Sequence, residues 1–310
     1  MSALSNVTLK DGMNNEVYPV AQEPVSASVT ECVNAFMRKV NDKAKNLGMN
    51  NTNFIAPAGD SNANMTTAYD LMKLVLACTK YDDFMSIWST KSKKVYTKNE
   101  IPKEVSLSTT VSDDVFEDYY TILGGKTGSG FGEGSTLMII GVCEGKLLAG
   151  AVLASISEPV NSRFYAMKEL FDIASKKLKG ESIDGMTVEH AKCACVCEIP
   201  TYPYLYMSNE NKLNILYKQE ENYQAAPSSA TKTMTCITAL DYIDDLDETV
   251  EMLQSDMVGG SGRVFEEGDI VSYRDLLYAA MLPSSNMSAH ALAANIGKKI
   301  LQIESNYLNN

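Results

Sequence analysis

The sequence predicts a mixed α/β (α+β) fold, with an antiparallel sheet and flanking helices set beside a helical lobe. Three observations carry this. Apolar residues recur at helical spacing from about Glu31, and the period becomes two-fold with Gly-rich turns from Tyr119 to Lys218 around one helical stretch. Helical spacing then returns to the end of the chain. The helical lobe is therefore split between the two ends of the chain.

Residues 1–27 hold two short β-like runs, Val7-Thr8-Leu9 and Val17-Tyr18-Pro19-Val20, about a Lys10-Asp11-Gly12 turn; they read as an arm or hairpin. A helix is expected from Glu31 to Leu47, with Val33, Phe36, Met37, Val40 and Ala44 on one face and Gly48 as its stop. Another starts near Thr67, with Asp70 as a capping-box partner and Leu71, Leu74, Val75 and Cys78 inward. The apolar run Leu137–Ile156 is broken by Glu144-Gly145-Lys146, the pattern of two strands and a turn. Asn161-Ser162 is expected to cap a helix bearing Phe164, Met167, Leu170, Phe171, Ala174 and Leu178, stopped by Gly180. Strands follow from Thr187 to Lys218, including a hairpin that turns at Asn209-Glu210-Asn211. Ser272 with Asp275 forms a capping box before Leu276, Leu277, Ala280 and Met281. Pro283 ends that helix, and a last one runs from Ser288 to Ile303. The organisation expected is an unassigned arm (1–27), the first part of the helical lobe (28–117), a sheet lobe (118–228) and the rest of the helical lobe (229–310).

The chain of 310 residues carries a net charge of −12, which argues against a nucleic-acid partner. No apolar run is long enough to span a membrane, and the N-terminus lacks the basic-then-apolar pattern of a signal peptide. Seven cysteines give no disulfide framework. Cys193, Cys195 and Cys197 alternate along one strand face. With His190 as the only nearby imidazole, they read as small buried side chains rather than a metal site, and no cofactor is expected.

Three short motifs carry chemistry. Ser229 and Lys232, in PSSATKTMT, are three apart at a helix start, so they share a face. A lysine whose pKa is lowered by burial and a second cation can serve as the base for a serine nucleophile; alone, the spacing also fits an ordinary exposed helix. Lys126-Thr127-Gly128 follows a strand pattern and offers a cation, a hydroxyl and a glycine for close approach, or simply a turn. Ser284-Ser285-Asn286 offers a hydroxyl and an amide, or a helix cap.

Together, Ser-x-x-Lys, Ser-x-Asn and Lys-Thr-Gly are the signature of penicillin-recognising serine enzymes. The contexts resemble the D-alanyl-D-alanine carboxypeptidases among the low-molecular-mass penicillin-binding proteins. PSSATKTMT resembles the nucleophile segment, and MLPSSNMSAHALA the second motif with its helix. VNAFMRKVNDKAKNLGMNNTNFIAPAGD, TTAYDLMKLVLA, GGKTGSG and SRFYAMKELFDIA resemble the segments that follow. The similarity covers nearly all of residues 28–306 and leaves the first 27 unmatched. The family order is nucleophile, Ser-x-Asn, Lys-Thr-Gly; here Lys-Thr-Gly and the last helix come first, so the chain resembles a circularly permuted member joined through Gly180–Met186.

The resemblance implies a β-lactamase/DD-peptidase-like fold and a cell-envelope enzyme that removes the terminal D-alanine from peptidoglycan stem peptides ending in D-Ala-D-Ala and is acylated by β-lactams. It assigns Ser229 as nucleophile, Lys232 as base, Ser284 as proton relay, Asn286 as orienting group and Lys126 as the source of positive potential. Thr127 and Arg163 would bind the terminal carboxylate, with Gly128 and Ser129 as further substrate-binding residues. The backbone N–H groups of Ser229 and Ser129 would form the oxyanion hole. Departures are Ser-Ser-Asn where the family usually has Ser-Gly-Asn, and SGFGEGSTL after Lys-Thr-Gly. A class A β-lactamase shares the motifs but needs a Glu-x-x-Leu-Asn loop. Here Glu304-Ser-Asn-Tyr-Leu308-Asn309 has one residue too many. A non-catalytic peptidoglycan-binding module is the other reading.

Overall fold

The computed structural model describes residues 26–116, 118–129, 134–156, 161–200 and 213–308. The expected arm over residues 1–25 and the turn at Asn209-Glu210-Asn211 lie outside these residues.

The described residues open with helix α1 (Val29–Asn46), whose Ser28–Glu31 capping box satisfies its first amides. Phe36, Met37, Val40 and Ala44 are buried along one stripe, as the periodicity predicts. Helix α2 (Ala68–Cys78) is capped by the Thr67 side chain, which accepts from Asp70 N. Asp70 does not close the expected box: its carboxylate accepts from Asn51 N and the Thr52 hydroxyl and pairs with Lys73, tying the preceding loop to the helix. Three elements carry too little periodicity to be read from sequence. They are the short helix α3 (Asp82–Trp88) and the two-stranded ribbons β1–β2 (Ser92–Tyr96, Glu104–Ser108) and β8–β9 (Thr249–Glu251, Ile270–Ser272). The regions expected to be helical thus also hold strands.

The main sheet has five antiparallel strands in the order β3 (Thr121–Gly128), β4 (Ser135–Cys143), β5 (Lys146–Ser155), β6 (Ala191–Glu198) and β7 (Asn214–Gln219). The β4–β5 hairpin pairs Cys143 with Lys146 around Glu144-Gly145. Helix α4 (Ser162–Leu178) connects β5 to β6 and covers one face, where Leu137, Ile139, Val152, Ala194 and Val196 meet Phe164, Met167, Leu170 and Phe171. Asn161 does not cap α4 with its side chain: it sits at φ 68°, a left-handed entry, and the Ser162 hydroxyl donates instead to Ile156 O.

The opposite face carries Met138, Ile140, Ala149, Ala151, Leu153, Cys193, Cys195 and Cys197, packed into the helical core. Two-fold alternation puts the three thiols on that face together. That core joins α1 and α2 to α5 (Thr231–Leu240), α6 (Tyr273–Met281) and α7 (Asn286–Leu308). The last helix begins two residues before the expected Ser288 and runs five past Ile303. Helices α1 and α7 touch backbone to backbone. A Cβ on Gly297 would lie 1.8 Å from Cys32 O, so only glycine fits this crossing.

Candidate active site

Ser229 lies in a 3-10 turn, Ser228–Ala230, that feeds directly into α5. The turn is built with Ser228 at φ 49°, a strained conformation for a residue with a side chain, and β3 packs against it. One helical turn on, Lys232 projects back along the same face. Its Nζ donates to Ser229 Oγ, Asn286 Oδ1 and Ala58 O, each at 2.8 Å. Three acceptors take up the three hydrogens of an ammonium, or the two of an amine with Ser229 donating to nitrogen.

Lys232 and Lys126 are both wholly buried, at 0% exposure. Burial disfavours the charged form and pulls the Lys232 pKa down to about 7, against smaller opposing contributions from Asp60 and Cys236. Burial also lowers the Lys126 pKa well below the usual lysine range, with the Lys232 charge as a second cause. Desolvation is thus what brings the Lys232 amine toward its neutral form near pH 7.

Lys126 lies near the C-terminal end of strand β3 and donates to Ser284 Oγ at 2.9 Å and to Thr127 O at 2.9 Å. Ser284, between α6 and α7, sits at φ 63°. Ser285 turns the other way: its hydroxyl accepts from Ser288 N and caps the first turn of α7. Asn286 opens that helix, with Oδ1 on Lys232 and Nδ2 donating to Gly259 O at 3.1 Å. Four segments remote in sequence therefore meet here. One hydrogen-bonded set joins Ser229, Lys232 and Asn286, and the Lys126–Ser284 pair adjoins it.

The remaining expected residues line the strand end. The Thr127 hydroxyl pairs with that of Thr110 at 2.6 Å. Arg163, in the first turn of α4, donates through Nη1 to Gly128 O at 2.8 Å and to Ser129 Oγ at 2.7 Å. Its Nε is buried and has no partner among the described residues. A cation in the first helical turn adds to the positive end of the helix dipole, and no acidic residue offsets it there. This corner of the site favours an anion.

Sequence reasoning missed several supports. Asn64 holds the loop that presents Ala58: its Oδ1 accepts from Ile55 N and Ala56 N, and its Nδ2 donates to Thr231 Oγ1. Thr110 and the Gly259–Gly262 loop were also unforeseen. Only the Phe54–Asp60 stretch, within a segment that resembles the family, carried a signal.

A profile of the family described as D-alanyl-D-alanine carboxypeptidase matches residues 25–156 and 196–299, more than half of the chain. The chain is similar to a D-alanyl-D-alanine carboxypeptidase of Streptomyces sp. (strain K15), 33% identical over 132 residues, which cover 41% of this chain and 44% of the relative. It is also similar to a D-alanyl-D-alanine endopeptidase of Escherichia coli (strain K12), 53% identical over 47 residues, covering 15% of each. A D-alanyl-D-alanine endopeptidase of Pseudomonas aeruginosa is 44% identical over 61 residues, 20% of this chain and 19% of the relative. The chain thus spans less than half the length of the curated relatives it matches.

Proposed function

Because the chain belongs to the D-alanyl-D-alanine carboxypeptidase family, we propose that it is a serine-type D-Ala-D-Ala carboxypeptidase working through an acyl-enzyme on Ser229. The observation that carries this reading is the buried 2.8 Å hydrogen bond between Lys232 Nζ and Ser229 Oγ. A serine hydroxyl is a weak nucleophile until a base stands beside it, and burial leaves much of Lys232 neutral near pH 7.

Neutral Lys232 takes the hydroxyl proton as Ser229 Oγ attacks the carbonyl carbon of the penultimate D-alanine. The backbone N–H groups of Ser229 and Ser129 receive the developing oxyanion. The oxyanion collapses and the C–N bond breaks as Ser284, held by Lys126, gives its proton to the leaving D-alanine nitrogen and takes one back from the Lys232 ammonium, which leaves Lys232 neutral. Water then attacks the ester with Lys232 again as base, releasing the shortened stem peptide. Thr127 and Arg163 receive the terminal carboxylate, and Asn286 holds Lys232 and the substrate. The anion-favouring corner at Arg163 supports a substrate with a free carboxylate just beyond the scissile bond, as in a stem peptide ending in D-Ala-D-Ala. β-Lactams, which carry a carboxylate beside a reactive amide, acylate the same serine.

Peptidoglycan as substrate places the enzyme in the cell envelope; among the described residues no helix is long and apolar enough to cross a membrane. The reversed motif order supports a circularly permuted member of the family, with the largely exposed segment Gly180–Met186 as the join.

The test is release of D-alanine from a peptide ending in D-Ala-D-Ala, run beside labelling with a fluorescent penicillin. The expected result is release with a persistent covalent label. Rapid loss of the label with antibiotic hydrolysis points to a β-lactamase, and no label to an inert binding module.

A further inference from the structure

Of the three acceptors that hold Lys232, Asn286 is the side-chain amide, and an amide has two unlike ends. If its amide turned over, an NH2 group would face the amine in place of oxygen. What fixes it lies behind the site.

The loop after the 3-10 turn Gln254–Asp256 wraps around the start of α7. Gly259 O accepts from Asn286 Nδ2 at 3.1 Å, and Ser261 O accepts from Asn286 N at 3.0 Å. The contact is too close for side chains. A Cβ on Gly260, at φ +102°, would lie 2.2 Å from Asn286 Nδ2, and one on Gly262, at φ +64°, 2.6 Å from the Ser285 backbone. One end of this loop is fastened to the same helix. Asp256 is 1% exposed. Its Oδ1 meets His290 Nδ1 at 3.1 Å, and its Oδ2 accepts from Leu253 N at 3.0 Å. His290 stands one helical turn beyond Asn286, so latch and clamped amide lie on the same stretch of α7.

We propose that Asp256 and His290 are positioning residues: their contact latches the Gly259–Gly262 loop onto α7, which fixes the Asn286 amide with its oxygen toward Lys232. The inference rests on the reading of Lys232 as the base for Ser229. A carbonyl oxygen beside Nζ aims the amine and favours its protonated form. A loosened amide therefore lowers the Lys232 pKa further and spoils its aim.

The test compares the parent with His290→Ala, His290→Asn and Asp256→Ala. Asparagine places an NH2 close to where the His290 Nδ1 stands and so keeps a donor for Asp256. Three quantities are followed: the penicillin acylation rate against pH, penicillin affinity, and the Lys232 titration by 13Cε NMR in the free protein. The expected result is an acylation rate about tenfold lower in His290→Ala and Asp256→Ala, on the scale of a displaced catalytic group. Penicillin affinity changes little, the Lys232 titration moves to lower pH, and His290→Asn restores both rate and titration. Folded alanine variants with the parent's rate and titration overturn the latch, as does a loss of thermal stability alone. If the parent takes no label yet its Lys232 titration still moves in His290→Ala, the acyl-enzyme reading falls and the latch stands.

Discussion

Lys126 and Ser284, 158 positions apart, are joined by a 2.9 Å hydrogen bond in a place closed to solvent. Lys126→Ala removes the partner of the Ser284 hydroxyl and the positive potential at the strand end. The acylation rate is expected to fall by about 100-fold or more, the scale of losing one electrostatic stabiliser. Stopped-flow kinetics measure it, with circular dichroism as the folding control. A folded variant acylating at the parent rate would mean that the Lys-Thr-Gly strand plays no part in the chemistry.

Ser229→Ala is expected to abolish covalent labelling by penicillin, whereas Ser228→Ala retains it. Only Ser229 has its hydroxyl on Lys232 Nζ; Ser228 supplies the left-handed turn before it. Intact-mass spectrometry decides, and a label on the Ser229 variant sinks the assignment.

The Lys232 pKa is lowered to about 7, chiefly by burial. A base works in its neutral form, so acylation is expected to rise with pH, about tenfold per unit below that value, and level off above it. Lys232→Arg, permanently charged, removes the activity across the range. An acylation rate flat from pH 5 to pH 9 would exclude Lys232 as the base.

Gly297→Ala pushes a methyl group to within 1.8 Å of the Cys32 carbonyl oxygen, so α1 and α7 must move apart. The expected loss is about 3 kcal/mol, at the upper end for overpacking, read from urea unfolding. A change below about 0.5 kcal/mol, the range of neutral surface substitutions, would show that the helix crossing yields freely.

All seven cysteines are buried, and burial raises the Cys197 thiol to about 12. Iodoacetamide, which needs a thiolate, is expected to leave the native protein unmodified at pH 8 and to modify every cysteine after unfolding. Rapid native modification of any of them would mark an opening in the core.

Much of this was legible where a long segment repeats one pattern. The stripe from Phe36 to Ala44 and the alternation at Cys193, Cys195 and Cys197 each reach the core as their spacing predicts. The strand Ser92–Tyr96 was not legible, because only Val95 is buried and one apolar residue makes no alternation. Asp70 shows a different limit. Its spacing from Thr67 fits a capping box, but the Asn51 amide and the Thr52 hydroxyl, brought close only by the fold, claim its carboxylate. At the site, the short motifs hold Ser229, Lys232, Lys126, Ser284 and Asn286, which the fold brings together. Asn64, Thr110 and Asp256 act through bonds to groups far off in the chain, and no local pattern announces such bonds.

The crossing of α1 and α7 joins two helices made at widely separated times, and this bears on how the protein is born. While the ribosome is still translating, Phe36 and Val40 have no α7 to cover them, and the lobe cannot close until Gly297 has left the exit tunnel. The sheet and α4 are made in the middle of synthesis, with their mutual core already complete in sequence. The nascent chain therefore carries a finished half and an exposed, sticky half together, which is the condition that recruits chaperones.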